Sequence, residues 1–462
     1  MNNLTIETIS NACGGTIMGE SASIDRIRSV EVRGVVTDNR KIKKDYVFIP
    51  IVGNRVDGHS FIDQALKDGA LFTLAEHEIE GLDQPYILVD SSEIALKKIA
   101  AFYRRQLTIP IIGIIGSVGK TSTKEMIASV LGERFRVCKT QGNFNNEIGL
   151  PLTILSIQPE DEAAVVEMGI SDFGEMHRLG EIAQPDMVVI TNIGECHLEF
   201  LHDRDGVFRA KTEVFEHLAK EAAVIINTDD DKLAAIDEVP GAVVVRFGTR
   251  DQEIRADNIS SQGMEGVNAR LWIGQDSFEV NIPVPGVHNV YHALAAAAAA
   301  NRLGMDSEAI RNGISHVESL AGRSRFVHLD NNITVIDDCY NASPISVKAG
   351  LDLLSRAENK KIAVLGDMAE LGPTEIELHR GVGEHLANLP IDELYTAGDL
   401  AKNIGEAAQD SGTGCIIHSF DSREEMTDAL LKSLTPDSTI LVKASHCMEF
   451  PKVVEALEAS TI

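Results

Sequence analysis

The stretch from Ile109 to Phe135 constrains the fold more than any other part of the chain. An apolar run, IPIIGIIG, leads into the turn GSVGKT at 116–121, and the helix-compatible segment TSTKEMIASVLGERF follows. Strand, glycine turn and helix in this order make a P-loop, in which backbone N–H groups and a helix N-terminus surround a phosphate. The spacing is GxxGK[ST], and Ile114 stands where the longer motif has its first glycine. The residues predicted to bind a nucleotide are Gly116, Ser117, Val118, Gly119, Lys120, Thr121 and Ser122.

Two side chains of this turn carry the expected chemistry. Lys120 supplies a cation to the β- and γ-phosphates, and the Thr121 hydroxyl can bind Mg²⁺. A GTPase also needs an NKxD motif after a strand, and the nearest candidate, Asn227-Thr228-Asp229-Asp230, lacks the lysine. ATP is therefore the predicted nucleotide.

The rest of the chain repeats an alternation of short β-branched runs and helical segments, which is typical of an α/β fold with parallel sheets. Its 462 residues, at about 150 residues per domain, suggest three domains. We predict a small mixed α/β domain at 1–90, a central P-loop domain with a parallel sheet at 91–316, and a Rossmann-like doubly wound domain at 317–462. The alanine run Ala293–Ala300 is predicted to be a packed helix rather than a linker.

The net charge of the chain argues against a nucleic-acid partner. The 70 acidic residues against 42 Lys plus Arg give a net charge of −28, which repels a nucleic-acid backbone. No secretory leader or membrane-length apolar run is present, so a cytoplasmic location without membrane insertion is expected. The six cysteines are scattered without a CxxC pair, which favours reduced thiols.

Three residues after the P-loop are candidates for metal chemistry. Glu167 ends the strand AAVVEMG, and the carboxyl ends of parallel strands face the ligand crevice, so it is a candidate Mg²⁺ ligand. His197 follows the next strand and either ligates a second ion or makes an ordinary hydrogen bond. Lys211 lies on a helical stretch, where spacing alone indicates a solvated charge.

Together these segments resemble the Mur ligase family, whose members form amide bonds of the peptidoglycan stem peptide with ATP. The strings that carry the resemblance are GSVGKTSTKE, EMG, TNIGECHLE, AKTEVF, INTDD, VHNVYHALAA and the GR pair at 322–323. Further strings resemble the branch that joins D-Ala-D-Ala to UDP-N-acetylmuramoyl-tripeptide. They are TQGNFNNEIGLPLT, DDCYNASPIS, LGDMAELG, TDNR and GNRVDGHSF.

The resemblance implies roles for residues that spacing alone does not assign. It implies Mg²⁺ at two sites held by Thr121, Glu167, His197 and a carbamylated Lys211, with Lys120 beside the γ-phosphate; Lys120, Lys211, His197 and Glu167 are then the catalytic set. It implies ATP contacts from Asn289 (adenine), Arg323 (phosphate) and Asp338 (ribose). The substrate contacts it implies are Asp38, Asn39, Arg40, Arg55, Asp57, His59, Thr140, Asn143, Asn145, Asn146, Tyr340 and Asn341.

Four positions depart from the family pattern. Ser343 replaces the second asparagine of YNANP, and His292 replaces the second asparagine of HNxxNALAA. His446 stands in place of the arginine of KGSR, and Asn39 in place of the serine of DSR. Altered substrate contacts are expected at these positions.

The implied activity is an ATP-dependent amide ligase that forms a C–N bond through an acyl phosphate and releases ADP and phosphate. Two other functions stay open on the sequence. One is a related ligase that adds the third stem residue or extends folate with glutamate. The other is a nucleotide-dependent regulatory protein without turnover. The resemblance also implies a monomer.

Overall fold

The structure is a computed structural model that describes residues 1, 3–53, 56–318 and 320–460. It contains three α/β domains, each built on its own sheet. The three sheets fall within the three predicted segments, whose boundaries stay predictions. Across the described ranges, no helix combines the length and the apolar character needed to cross a bilayer.

The first domain holds a five-stranded sheet in the order β1-β5-β4-β3-β2, in which only the edge strand β1 is antiparallel to its neighbour. Its elements are α1 (Ile6–Cys13), β1 (Thr16–Met18), α2 (Ser21–Ile27), β2 (Gly34–Val36), β3 (Tyr46–Phe48), α3 (Ile62–Lys67), β4 (Ala70–Ala75) and β5 (Tyr86–Leu88), with short 3-10 helices at Asn39–Lys41 and Gly58–Phe61.

The central domain holds the largest sheet, nine strands in the order β14-β13-β12-β11-β10-β9-β6-β8-β7. Its helices are α4 (Ser92–Arg104), α5 (Lys120–Gly132), α6 (Gly149–Ile154), α7 (Glu175–Ala183), α8 (Leu198–Leu201), α9 (Arg204–Thr212), α10 (Asp231–Ala234), α11 (Asn289–Arg302) and α12 (Ser307–Ser315), with 3-10 helices at Glu213–His217 and Gly263–Glu265. Its strands are β6 (Ile111–Ile115), β7 (Val137–Lys139), β8 (Ala163–Glu167), β9 (Met187–Ile190), β10 (Ala223–Asn227), β11 (Val243–Gly248), β12 (Ile254–Ser261), β13 (Val267–Ile273) and β14 (Asp276–Ile282).

Strands β6 to β12 of this sheet run parallel, as predicted. Strands β12, β13 and β14 form an antiparallel extension that was not predicted. The alanine run lies in α11 and is fully buried, which confirms the packed helix. Small side chains let this helix approach both α5 and the sheet closely, so α11 supports the helix that begins at the P-loop.

The third domain has a six-stranded sheet in the order β15-β16-β20-β17-β18-β19, parallel except for β15. Its elements are β15 (Arg325–Leu329), β16 (Ile333–Asp337), α13 (Pro344–Leu354), β17 (Lys360–Gly366), α14 (Glu375–Ala387), β18 (Glu393–Ala397), α15 (Lys402–Asp410), β19 (Ile416–Phe420), α16 (Arg423–Ser433), β20 (Ser438–Lys443) and α17 (Pro451–Ala459), with 3-10 helices at Gly372–Thr374 and His446–Met448. Buried helices cover both faces, which confirms the doubly wound arrangement.

The helix that leads into the central domain is fixed by one buried cation. Ser91 caps α4 by accepting a hydrogen bond from the Ile94 N–H, and Arg104 at its other end is 6% exposed. The Arg104 guanidinium donates to the Ala183 and Gln184 carbonyls over 2.6 and 2.7 Å. It also donates to Asp186 over 2.9 Å, and the same carboxylate oxygen accepts the Ile111 N–H at the start of β6.

We expect Arg104→Ala to lower the free energy of unfolding by about 2–3 kcal/mol, because it leaves buried carbonyls without a charged donor. Urea denaturation followed by circular dichroism measures the change. Arg105→Ala, at the exposed neighbour, is the control and should shift stability by less than about 0.5 kcal/mol. Equal losses in the two variants would mean that Arg104 does not anchor the helix.

Candidate active site

A cleft of about 930 Å³ lies between the central and third domains. The carboxyl ends of β6, β8 and β9 open into it from the central domain, as expected for a parallel sheet. The segments that follow β16, β17 and β20 close it from the third domain. Among the described residues, none that lines this cleft belongs to the first domain.

Two glycines give the P-loop its shape. Gly116 has φ +146°, and a Cβ there would lie 1.9 Å from Thr191 Oγ1. Gly119 has φ +83° at the start of α5, and its Cβ would lie 2.5 Å from a ring carbon of His292. Any larger residue would therefore strain the backbone and push the loop off β9 or α11.

The two residues that follow β9, Thr191 and Asn192, hold the P-loop in place. The Val118 N–H donates to Asn192 Oδ1 over 3.0 Å, and Thr191 Oγ1 donates to the Val118 carbonyl over 2.7 Å. Lys120 Nζ curls back to donate to the Gly116 carbonyl over 2.8 Å. The lysine is thereby kept at the mouth of the loop.

An oxygen-rich contact joins the P-loop to the end of β8. Thr121 Oγ1 donates to Glu167 Oε2 over 3.0 Å, and Asn145 Nδ2 donates to Glu167 Oε1 over 2.8 Å. Thr140 lies beneath, where its hydroxyl accepts the Glu167 N–H over 2.9 Å. Glu167 is 3% exposed, so its hard oxygen atoms are fixed in place, and they suit a magnesium ion.

The third domain reaches the same point with a cation. Arg323 Nη2 donates to Thr121 Oγ1 over 3.2 Å, and its guanidinium lies 4.0 Å from the ring centroid of Tyr340. Among the described residues, the buried Nε atom of Arg323 has no hydrogen-bond partner. An anion between Arg323 and the P-loop would satisfy that donor.

A second contact between these domains involves His197. Its Nδ1 shares a short hydrogen bond with Glu370 Oε2, and this bond with the imidazole lowers the pKa of Glu370. Both residues have positive φ, +53° and +62°. Strained backbone conformations at two residues whose side chains meet are typical of a functional site, where the placement of the side chains outweighs the cost of the strain.

Lys211 does not behave as the solvated charge that its spacing indicates. It is 1% exposed, and burial, the largest cause, lowers its pKa to about 8. Among the described residues, no hydrogen-bond or ion-pair partner is found for its ammonium group. The nearby Cys196 raises its pKa and Lys120 lowers it, but burial outweighs both, which favours the neutral amine.

The two remaining ends of the cleft use buried polar groups. Asn289 is 3% exposed and donates to the Pro285 carbonyl over 2.8 Å. Asp338 accepts from Lys443 Nζ over 2.6 Å and from the Ser324 N–H over 3.0 Å. His292 shares a hydrogen bond of 2.8 Å with Thr123, and burial lowers its pKa to about 3, which keeps the ring neutral.

Most of the residues predicted from the sequence meet in this cleft. Those that line it are Ser117, Val118, Gly119, Lys120, Thr121, Ser122, Asn145, Asn146, Glu167, His197, Asn289, Arg323, Asp338, Tyr340 and Asn341. Gly116, the first residue of the loop, does not line it. Those that do not line it are Lys211, Thr140, Asn143, Asp38, Asn39, Arg40, Asp57 and His59. Arg55 lies outside the described residues.

The first-domain residues make two separate sets of polar contacts. Asp38 accepts from the Arg40 guanidinium over 2.9 and 2.8 Å, and Asp57 pairs with His59 Nδ1 over 2.7 Å. The His59 ring in turn accepts the Glu76 N–H over 3.1 Å. These contacts order two loops of one domain, outside the interdomain cleft.

Sequence reasoning missed three residues of the site. Asn192 holds the P-loop, Lys443 neutralises Asp338, and Glu370 meets His197. Each acts on a partner at least 74 positions away in the chain, so no local pattern marks it.

Comparison with known proteins places this geometry in one family. Three family models cover the chain: the catalytic domain of the Mur ligase family at residues 31–112, the Mur ligase middle domain at 114–300 and the Mur ligase glutamate ligase domain at 322–446. The UDP-N-acetylmuramoyl-tripeptide–D-alanyl-D-alanine ligase of Bacillus subtilis (strain 168) is 36% identical, and the match covers 99% of each chain.

Solved structures agree. A crystal structure of MurF from Acinetobacter baumannii matches 99% of each chain at 30% identity, with a TM-score of 0.89. MurF ligase from Thermotoga maritima in complex with ADP matches 92% of this chain and 97% of that chain at 30% identity, with a TM-score of 0.80. Full-length matches to sequences and structures, on top of a P-loop cleft closed by a third domain, establish that this chain belongs to the Mur ligase family.

Proposed function

We propose that the protein is an ATP-dependent amide ligase that joins D-Ala-D-Ala to UDP-N-acetylmuramoyl-tripeptide. The observation that carries this proposal is the meeting of Lys120, the Thr121–Glu167 pair and Arg323 in one interdomain cleft. The names of full-length relatives supply the two substrates. The cytoplasmic location and the monomeric state remain predictions from the sequence.

The reaction solves a leaving-group problem. A carboxylate cannot release an oxide ion, so one of its oxygen atoms first attacks the γ-phosphorus of ATP, and ADP leaves. The amine nitrogen of D-Ala-D-Ala then attacks the carbonyl carbon of the acyl phosphate. Phosphate leaves with its bonding electron pair, the nitrogen loses a proton, and an amide remains. Positioning and charge neutralisation, rather than covalent catalysis by the protein, supply most of the acceleration.

The chain's own groups divide this work. The backbone from Ser117 to Ser122 holds the phosphates of ATP, and Lys120 leaves its loop carbonyls to neutralise the γ-phosphate. Arg323 of the third domain brings a second cation to the γ-phosphate. Its Nε atom, which has no hydrogen-bond partner among the described residues, would donate to the phosphate. Asn289 and Asp338 bind the adenine and ribose ends.

Magnesium fits the residues around the phosphates. Thr121 and Glu167 offer hard oxygen atoms. His197 offers the Nε2 atom of its imidazole, whose Nδ1 atom is held by Glu370. Bound Mg²⁺ would neutralise charge on the phosphate oxygens. The chain's contribution is to fix these donors: Asn145 orients Glu167, and Glu370 orients His197.

Lys211 fits a carbamate. Carbamylation replaces an unpartnered buried cation by an anion: the neutral amine attacks CO₂, and a proton leaves. Its lowered pKa supplies the neutral amine, and Lys120 lies near enough to stabilise the resulting negative charge. The product is a carboxylate-type oxygen donor for a second Mg²⁺.

The remaining predicted contacts serve the substrates. Asn146, Tyr340 and Asn341 line the cleft, where the terminal carboxylate of the tripeptide and the amine of D-Ala-D-Ala must meet. The first-domain residues Asp38, Asn39, Arg40, Asp57 and His59, which lie outside the interdomain cleft, are proposed to hold the uridine nucleotide. Thr140 supports Glu167, and Asn143 lies on the exposed turn that follows Thr140 in the chain.

The acyl-phosphate route predicts the fate of one oxygen atom. With the terminal carboxylate of the tripeptide labelled with ¹⁸O, we expect one labelled oxygen in each phosphate released, measured by mass spectrometry. Label absent from phosphate would exclude this route. Parallel assays with D-Ala-D-Ala, diaminopimelate, lysine and glutamate distinguish this ligase from its relatives, and ATP turnover with none of them would favour a regulatory protein.

We expect Lys120→Ala to lower kcat by at least about 10²-fold, because a preorganised cation at the transferring phosphoryl group is lost. Coupled measurement of ADP release gives the rate, and circular dichroism verifies the fold. Lys220→Ala, whose side chain is 91% exposed, is the matched charge control and should keep full activity. Wild-type kcat in Lys120→Ala would contradict the phosphate role.

Carbamylation of Lys211 has a direct signature. Protein equilibrated with ¹³CO₂ should show one enriched carbamate resonance by NMR, which is lost in Lys211→Arg and kept in Lys220→Arg. Acidification should remove the signal, since the carbamate breaks down when its nitrogen is protonated. A spectrum without that resonance, or one unchanged by Lys211→Arg, would show that the lysine stays an amine.

A further inference from the structure

Three potential metal-binding side chains meet on the surface of the central domain, outside the cleft. His177 lies in the first turn of α7, and Glu216 and His217 lie in the 3-10 helix Glu213–His217. None of the three lines the interdomain cleft. They are the one such group found among the described residues whose ligand atoms all lie within 4.8 Å of one another.

The separations of the ligand atoms are close to those of a coordination shell. His177 Nδ1 lies 3.0 Å from Glu216 Oε2 and 3.1 Å from His217 Nε2. With bonds of about 2.0–2.1 Å, two ligand atoms of a tetrahedral zinc site are about 3.3 Å apart. The ligand atoms of all three side chains lie within 4.8 Å of one another, although the two rings stand nearly perpendicular, at 78°.

The direct hydrogen bonds among the three side chains do not satisfy all their atoms at once. A neutral imidazole nitrogen either donates or accepts, and His177 Nδ1 faces a carboxylate oxygen and a ring nitrogen at once. If His177 Nδ1 donates to Glu216, the lone pair of His217 Nε2 must share the same hydrogen atom. If His177 Nδ1 accepts from His217 instead, its lone pair faces a lone pair of the Glu216 carboxylate. A cation between the three atoms satisfies all of them.

The surrounding structure holds the ligands in place. A Cβ on Gly180 would lie 3.2 Å from the His217 ring, so glycine at this position leaves room for the imidazole. Glu213 fixes the other element by accepting the Gly174 N–H over 3.0 Å and the His177 N–H over 3.2 Å.

We propose that His177, Glu216 and His217 form a binding site for a divalent transition-metal ion of the Zn²⁺ class. Two imidazoles and one carboxylate favour such an ion over Mg²⁺. Three protein ligands leave a fourth position for water. The ion ties α7 to the segment that directly follows α9, and α9 carries Lys211. It therefore acts as a clamp on the scaffold and takes no part in the reaction.

The test uses the full chain without an affinity tag, treated with EDTA and titrated with ZnCl₂ by calorimetry. We expect the number of bound Zn²⁺ ions to fall by one in His177→Gln/His217→Gln, with the wild-type site unaffected by excess MgCl₂. His316→Gln, at an exposed histidine paired with Glu133 over 2.8 Å, is the control and should keep wild-type stoichiometry.

A second readout keeps the test decisive if the double variant misfolds. Co²⁺ in a four-coordinate site gives visible absorption bands, and Glu216→Gln, at a side chain 69% exposed, should weaken Co²⁺ binding by about tenfold or more. Zinc stoichiometry equal in the wild type and the double variant, or Co²⁺ binding unaltered by Glu216→Gln, would overturn the proposal.

Discussion

The hydroxyl of Thr121 is the point on which the site depends. It donates to Glu167 at the end of β8 and accepts from Arg323 of the third domain, so one oxygen atom connects the P-loop, the central sheet and the opposite domain. Its position follows from Gly116 and Gly119, since only glycine allows the loop to pass Thr191 and His292 so closely. A change at any of these contacts therefore moves the others.

The same arrangement explains why the site lies between two domains. The central sheet supplies an acidic group and a P-loop, but its cation Lys120 faces the loop carbonyls. The third domain supplies Arg323 and, through Glu370, a second hold on His197. These two contacts exist only when the domains are together. In the proposed reaction, closure would assemble the charges around ATP and exclude water at the same time.

The sequence was most informative where structure is local. The strand β6, the glycine turn and α5 are consecutive in the chain, and Glu167 directly ends β8, so pattern and spacing predict their placement. Lys211 shows the limit: helical spacing indicated a solvated charge, but packing around α9 buries it. The pairing of His197 with Glu370 joins residues 173 positions apart, and no local pattern predicts such a contact. The extension formed by β12, β13 and β14 lies in the central domain, for which a parallel sheet was predicted; its antiparallel pairing was not predicted.

The departures from the family pattern acquire physical meaning in this frame. Ser343 forms a reciprocal capping box with Ser346 at the start of α13, so it fixes a helix end beside Tyr340 and Asn341. His292 stays neutral beneath Gly119 and bonds Thr123, where it supports the P-loop from behind. His446 lies 5.8 Å from the Tyr340 ring, measured between ring centroids, and so replaces a fixed positive charge by an aromatic neighbour of the Arg323–Tyr340 pair. All three act on residues that surround the phosphate site, while Lys120, Thr121 and Glu167 keep the family's identities. The altered positions should therefore change the surroundings of the phosphate site rather than the groups proposed to contact the phosphates.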